Sequence, residues 1–148
     1  MRNYREPLRV PGSWWALGML STAIFATTLW AGFSLPVAAA VYVLSGGGCA
    51  AALLLWGRTT VEVADGELRA GHATMRLSQA GEVAALDEAQ AHALRGPRAD
   101  PAAYMLIRPY LKRAVYVQVT GHDRDTPYWL IGTRRPAELA AAIERARL

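Results

Sequence analysis

The pattern of hydrophobic and polar positions divides the chain into a long uncharged stretch and an alternating remainder. Residues 10–57 lie between Arg9 and Arg58 and contain no Asp, Glu, Lys or Arg. An apolar run of this length is too long for one helix of a soluble core. It therefore predicts a location in a membrane.

The uncharged stretch is long enough for two helices. The hydrocarbon core of a bilayer is about 30 Å thick and needs about 20 helical residues per crossing. Gly, Ser and Pro residues separate two apolar runs of that length and favour a turn between them. We predict a transmembrane helical hairpin over 14–57, with helices over 14–33 and 37–56. Residues 1–13 then form a cytoplasmic N-terminal segment.

Aromatic and basic residues flank the predicted hairpin as expected for a membrane boundary. Lys and Arg beside a span are retained on the cytoplasmic side, and Trp prefers the interface. The connecting turn carries no charge, so both termini are predicted to be cytoplasmic in a multi-pass protein of the cell membrane. The interface residues are Trp14, Trp15, Trp56, Arg9 and Arg58, and Arg2 and Arg5 add to the basic flank.

Two alternatives concern this stretch. A secretory signal peptide cleaved near 37–40 would also begin with arginines, but its apolar region is usually only about 7–15 residues long. Small residues over 46–52, facing Gly18, Thr22 and Ala26, favour close helix packing. They predict contact within the hairpin or a homo-oligomer seam.

Residues 59–148 show the alternation of short β-strands. Asp65-Gly66 is a strong hairpin signal, Asp87 suits the N-cap of a short helix over 87–94, and Pro136 suits the first turn of a helix over 136–147. We predict a small, mostly-β domain of six or seven strands, an open barrel or curved sheet, with a C-terminal amphipathic helix.

Charge and composition exclude several functions. The 148-residue chain has a net charge of +4, but from Thr59 onward twelve basic residues face eleven acidic ones. The excess lies at the predicted membrane edge, so nucleic-acid binding loses its support. The one cysteine, Cys49, excludes an intrachain disulfide and a cysteine-based metal site.

No catalytic motif is found in the sequence. His72, His92 and His122 lie on separate elements without metal-ligand spacing, and residues 121–125 are more typical of a polar hairpin loop than of an ion site. No nucleophile elbow or phosphate loop occurs. We predict no enzyme activity, no metal and no cofactor.

Two polar connections are candidate binding sites. Arg95, Arg98 and Asp100 lie in one long loop, which is otherwise explained as a rigid turn with an Arg–Asp pair. Arg134 and Arg135 lie where a strand meets a helix, where N–H groups and cations receive anions. A solvated helix start is the more common explanation for the second pair.

Several motifs in fixed order resemble a known family. They are residues 4–11 with the Trp pair at 14–15, residues 65–71, residues 94–104, and residues 127–139. Together they resemble an actinobacterial family of small membrane proteins of unknown function, which implies no activity or ligand. The order of strands and final helix also resembles bacterial pleckstrin-homology-like domains.

The leading functional hypothesis is a non-enzymatic, membrane-anchored interaction or scaffold module. Its partners would be membrane lipids, through their headgroups, or a protein at the inner membrane face. The alternatives are a domain that binds or modifies a small apolar ligand or lipid in a pocket, and an accessory subunit of a larger membrane complex. The sequence identifies neither ligand nor pathway.

Overall fold

A computed structural model describes residues 4–121 and 125–148 of the chain. They form two compact units, which we call unit 1 (residues up to 8 together with 60–148) and unit 2 (residues 9–59). Arg2, used above for orientation, and residues 122–124 of the polar hairpin loop lie outside the described residues.

Unit 2 consists of two helices, α1 (Gly12–Trp30) and α2 (Leu35–Gly57). A Cβ atom on Gly18 would lie 3.0 Å from the Cys49 sulfur. Near the turn, the hydroxyls of Thr27 and Tyr42 are 2.6 Å apart. These contacts show that the helices pack antiparallel, and that Gly18 permits their close approach.

The three consecutive glycines in the middle of α2 do not share in this packing. A Cβ atom on Gly46, Gly47 or Gly48 would meet nothing within 4 Å. Gly18, by contrast, lies at the α1–α2 contact.

The prediction of a two-helix transmembrane hairpin is wrong. Among the described residues, only α2 is long and apolar enough to cross a membrane, and one such helix alone is weak evidence for a membrane location. The first predicted span fails because the helix found there, α1, has three tryptophans and five Ser or Thr residues among its 19 residues, which lower its mean hydropathy. The argument that both termini are cytoplasmic needed two crossings and loses that basis.

Unit 1 contains two four-stranded sheets. The first sheet is antiparallel in the order β1-β2-β3-β4, and the second has the order β5-β7-β8-β6, in which β6 and β8 are parallel. The strands are β1 Tyr4–Pro7, β2 Thr60–Ala64, β3 Glu67–Ala70, β4 Ala73–Arg76, β5 Ala80–Leu86, β6 Tyr104–Leu106, β7 Ala114–Val119 and β8 Tyr128–Gly132. Helices α3 (Glu88–Arg95) and α4 (Pro136–Arg147) complete the unit.

The first strand, β1, lies within residues 1–13, which the sequence predicts as an N-terminal segment without a strand. β1 pairs with β2 so that Pro7 lies opposite Thr60. The chain therefore leaves unit 1 and re-enters it at neighbouring positions of one sheet. The alternation in β1 covers only four residues and contains a proline, so the sequence alone does not reveal it.

Several local predictions are confirmed. Asp65 and Gly66 form the two-residue turn between β2 and β3, with φ angles of 52° and 74°. Such a turn needs positive φ at both positions. Asp87 caps α3 in a capping box with Gln90, and Pro136 begins α4.

The main core of unit 1 lies between the two sheets and α4. It includes fully buried side chains of both sheets and of the helix, such as Val61, Leu68, Val117, Ile131 and Ile143. A smaller cluster on the α3 side of the second sheet contains Leu130 and Tyr128. The predicted mostly-β barrel is thus replaced by a mixed α/β fold with four helices and two sheets among the described residues.

Candidate functional site

A buried carboxylate joins the two ends of unit 1. Glu6 on β1 is only 8% exposed. It accepts hydrogen bonds from the Tyr4 hydroxyl at 2.8 Å, from the Thr133 hydroxyl, and from the Arg134 backbone N–H at 3.0 Å. A buried carboxylate needs such donors to offset its lost hydration.

This network accounts for the strand-to-helix junction at Arg134 and Arg135. The Arg134 N–H binds the chain's own Glu6, and the Arg135 N–H donates to the Thr133 hydroxyl at 3.0 Å. The Arg135 guanidinium pairs with Glu138 at 3.3 Å on the surface. The Arg134 N–H that was predicted to receive an external anion therefore already binds Glu6.

The Glu6 network predicts a pH dependence of stability. Burial and the hydrogen bond to Glu6 raise the pKa of Tyr4. Because unfolded tyrosine loses its proton near pH 10, the free energy of unfolding should be constant up to about pH 10 and fall above it. Chemical denaturation of the Tyr4→Phe variant between about pH 8 and about pH 12 should show a shallower decline in the free energy of unfolding than the native chain shows.

In the Tyr4→Phe variant, the free energy of unfolding should still fall at high pH. Burial also raises the pKa of Tyr104, Tyr110 and Tyr116. Identical pH slopes for the variant and the native chain would contradict the role given to Tyr4.

The other candidate site, the connection that contains Arg98 and Asp100, is a hydrogen-bonded turn. The Asp100 carboxylate accepts from the Ala102 N–H at 2.9 Å, and the Asp100 N–H donates to the Tyr128 hydroxyl at 3.0 Å. Among the described residues, Asp100 forms no ion pair with Arg95 or Arg98. The turn is therefore held by hydrogen bonds from backbone N–H groups to side-chain oxygens, and not by the alternative Arg–Asp pair.

Arg95 is the last residue of α3 and not a loop residue as predicted, and its environment is unusual. Its Nε and Nη2 atoms are buried and have no hydrogen-bond partner among the described residues. Burial lowers the pKa of this guanidinium. Arg98, by contrast, is exposed. The structure thus does not gather Arg95, Arg98 and Asp100 into one charged cluster.

The five predicted interface residues come together in unit 2, where they line two pockets that share Leu53. One is an apolar groove of about 310 Å³ between α1 and α2, with Trp14 and Trp56 among its lining residues. The groove is also lined by Gly18 and Cys49, which are in contact across the helix pair.

The other pocket, which we call the arginine pocket, has a volume of about 360 Å³. It is lined by Arg9, Val10, Trp15, Leu53, Leu54, Gly57 and Arg58. It is closed on one side because the backbone of Arg9 and Val10 lies directly against the end of α2. A Cβ atom on Gly57 would be 3.4 Å from the Val10 nitrogen. The pocket combines two cations with apolar walls.

No group of three or more His, Cys, Asp or Glu side chains suited to a metal ion occurs within residues 4–121 and 125–148.

A family model described as "Protein of unknown function (DUF3093)" matches residues 3–143. The chain belongs to this family. The predicted resemblance to a family of unknown function is thus confirmed. A search of curated proteins found no match, and neither did a search of solved structures.

The DUF3093 match spans both units and all four motifs that carry the resemblance. Two of these motifs meet in the Glu6 network, since residues 4–7 contribute Glu6 and residues 133–136 contribute its donors. Sequence reasoning overlooked Glu6 and Thr133. The available signal was a glutamate near the start of the chain together with a Thr-Arg-Arg-Pro turn before the last helix, both within the matched residues.

Proposed function

We propose that this DUF3093 protein is a non-enzymatic interaction module whose unit 2 associates with a lipid bilayer. One observation carries the proposal. In the described residues, nearly all exposed large hydrophobic side chains belong to unit 2, whereas unit 1 contributes only its last residue, Leu148. Unit 1 has buried its apolar surface and unit 2 has not.

The exposed surface of unit 2 has the composition of a lipid-facing one. Ile24 and Phe25 on α1 are each 59% exposed, and Val43 and Leu44 on α2 are 72% and 75% exposed. Of the most apolar 18 residues of α2, only 11% are buried, so this helix does not lie in the core of its own chain. Contiguous apolar surface of this extent marks a membrane or interaction surface.

In the sequence, unit 2 lies between β1 and β2, which are neighbouring strands of one sheet of unit 1. Arg9 and Arg58 at the ends of unit 2 favour the cytoplasmic side. Unit 1 is then held at the inner membrane face, where it presents its surface to a protein partner or to headgroups.

Membrane extraction tests the proposal. Membranes from cells that express the full chain should retain it after washing with alkaline carbonate and release it with detergent. A chain that remains in solution without detergent would refute the proposal. Chemical cross-linking in intact membranes, followed by mass spectrometry, would then identify a protein partner or a second copy.

A further inference from the structure

We propose that the arginine pocket of unit 2 binds the phosphate of an anionic phospholipid, with the acyl chains lying along its apolar wall. This inference rests on the proposed membrane association and names the ligand class. It assigns a binding role to Arg9, Arg58 and Trp15.

The electrostatics of unit 2 favour an anion at this point. Residues 9–59 contain two basic residues and no acidic one, and both basic residues line this pocket. The Arg58 guanidinium has no hydrogen bond or ion pair within the described part of the chain, and both arginines are exposed. Guanidinium groups match phosphate oxygens in geometry as well as in charge.

The apolar half of the pocket identifies the source of the phosphate. Trp15, Leu53 and Leu54 form a wall that a free phosphate ion would leave uncovered. Leu54 is 57% exposed and lies in the last turn of α2, so the wall continues along the helix surface. An amphiphile with a charged head and acyl chains covers both halves, and Trp15 suits the boundary between them.

The backbone fixes the spacing of the two cations. The chain at Arg9 and Val10 touches Gly57, the residue before Arg58, which holds the two arginines at one pocket. The site is therefore built by contacts within unit 2 and is not a run of charges in the sequence. A headgroup that reaches both arginines gains two charge-assisted contacts at once.

The test measures lipid selectivity with the full chain reconstituted in vesicles. Brominated acyl chains quench nearby tryptophan fluorescence, so dibrominated phosphatidylglycerol and phosphatidylcholine with the same chains can be compared. The native chain should prefer phosphatidylglycerol. Each arginine replaced by glutamine should reduce that preference by about fivefold, and the Arg9→Gln/Arg58→Gln variant by about thirtyfold.

Matched variants separate this site from general charge effects. Arg76→Gln/Arg113→Gln removes the same charge from exposed positions of unit 1 and should leave the preference unchanged. Arg9→Lys/Arg58→Lys keeps the charge and should retain part of the preference. Equal losses in the unit 1 variant and the pocket variant would overturn the inference.

Three further outcomes separate the lipid-binding inference from the proposed membrane association. Absence of any preference in the native chain, when that chain still resists carbonate extraction, would overturn this inference and leave membrane association standing. Displacement of phosphatidylglycerol by inorganic phosphate would show a free-anion site and overturn the assignment to a lipid. Failure of the chain to enter vesicles would refute the proposed function itself.

Discussion

Replacing Glu6 with alanine should destabilise unit 1 by about 3 kcal/mol, because the substitution leaves three donors without their charged acceptor. The Thr133 hydroxyl and the Arg134 N–H lose their partner at a buried position, and the Tyr4 hydroxyl loses its own. The effect should appear as a lower midpoint in chemical denaturation. It should also appear as faster hydrogen exchange of β1 and of the junction that precedes α4.

Glu62 on the neighbouring strand offers a matched control. It lies opposite Arg5 in the same sheet and is half-buried, and no hydrogen bond or ion pair of its side chain occurs among the described residues. Glu62→Ala should change the free energy of unfolding by only about 0.5 kcal/mol. Similar losses for both variants would mean that Glu6 acts only through net charge. The Glu6→Gln variant, which keeps an acceptor oxygen, should lie between the two.

Replacing Leu44 with lysine should strongly reduce membrane association. Leu44 lies near the middle of α2 and is 75% exposed. In water, a lysine at so exposed a position would cost almost nothing. At the centre of a membrane-inserted helix it costs about 3 kcal/mol, which lowers the ratio of membrane-bound to soluble chain by roughly 100-fold. The carbonate-resistant fraction of the full chain measures this ratio.

Leu148→Lys provides the control for added charge. Leu148 is fully exposed at the end of α4 and should tolerate lysine without loss from the membrane fraction. If Leu44→Lys leaves the membrane fraction as high as the native chain, α2 is not inserted in lipid. The proposed role of unit 2 would then be wrong.

Local structure was predictable from the sequence where a few adjacent residues determine it. The Asp65-Gly66 turn, the Asp87 cap of α3 and the Pro136 start of α4 are all present. In each case the side chain or its φ preference acts on backbone within four residues. No distant contact is needed to make these choices.

The prediction of two membrane-spanning helices failed because only α2, and not α1, is apolar enough to cross a membrane. The absence of charge over residues 10–57 suggested two equivalent spans, but Trp, Ser and Thr residues make α1 less apolar than α2. Lack of charge is therefore a weaker criterion than hydropathy. The helical pairing of the two segments was nevertheless predictable, because their short link leaves few other arrangements.

The candidate site was only partly predictable. The sequence named Arg9, Arg58 and Trp15 as separate boundary residues, and the structure gathers them in one pocket. It also named Arg134 and Arg135, whose backbone N–H groups turn out to be occupied within unit 1. Neither outcome follows from residue type, because both depend on which segment folds back onto the site.

By itself, the sequence determined the short-range elements of this protein, its family, and the confinement of uncharged residues to one stretch. Only the tertiary structure decided that β1 pairs with β2, although all of unit 2 separates these strands in the sequence. It also decided that Glu6 binds Thr133, which is 127 positions away. Turns and caps are determined by sterics and hydrogen bonds among neighbouring residues, so the residue types alone predict them. Long-range pairing depends on the free energy of the complete core, in which every segment competes for the same partners.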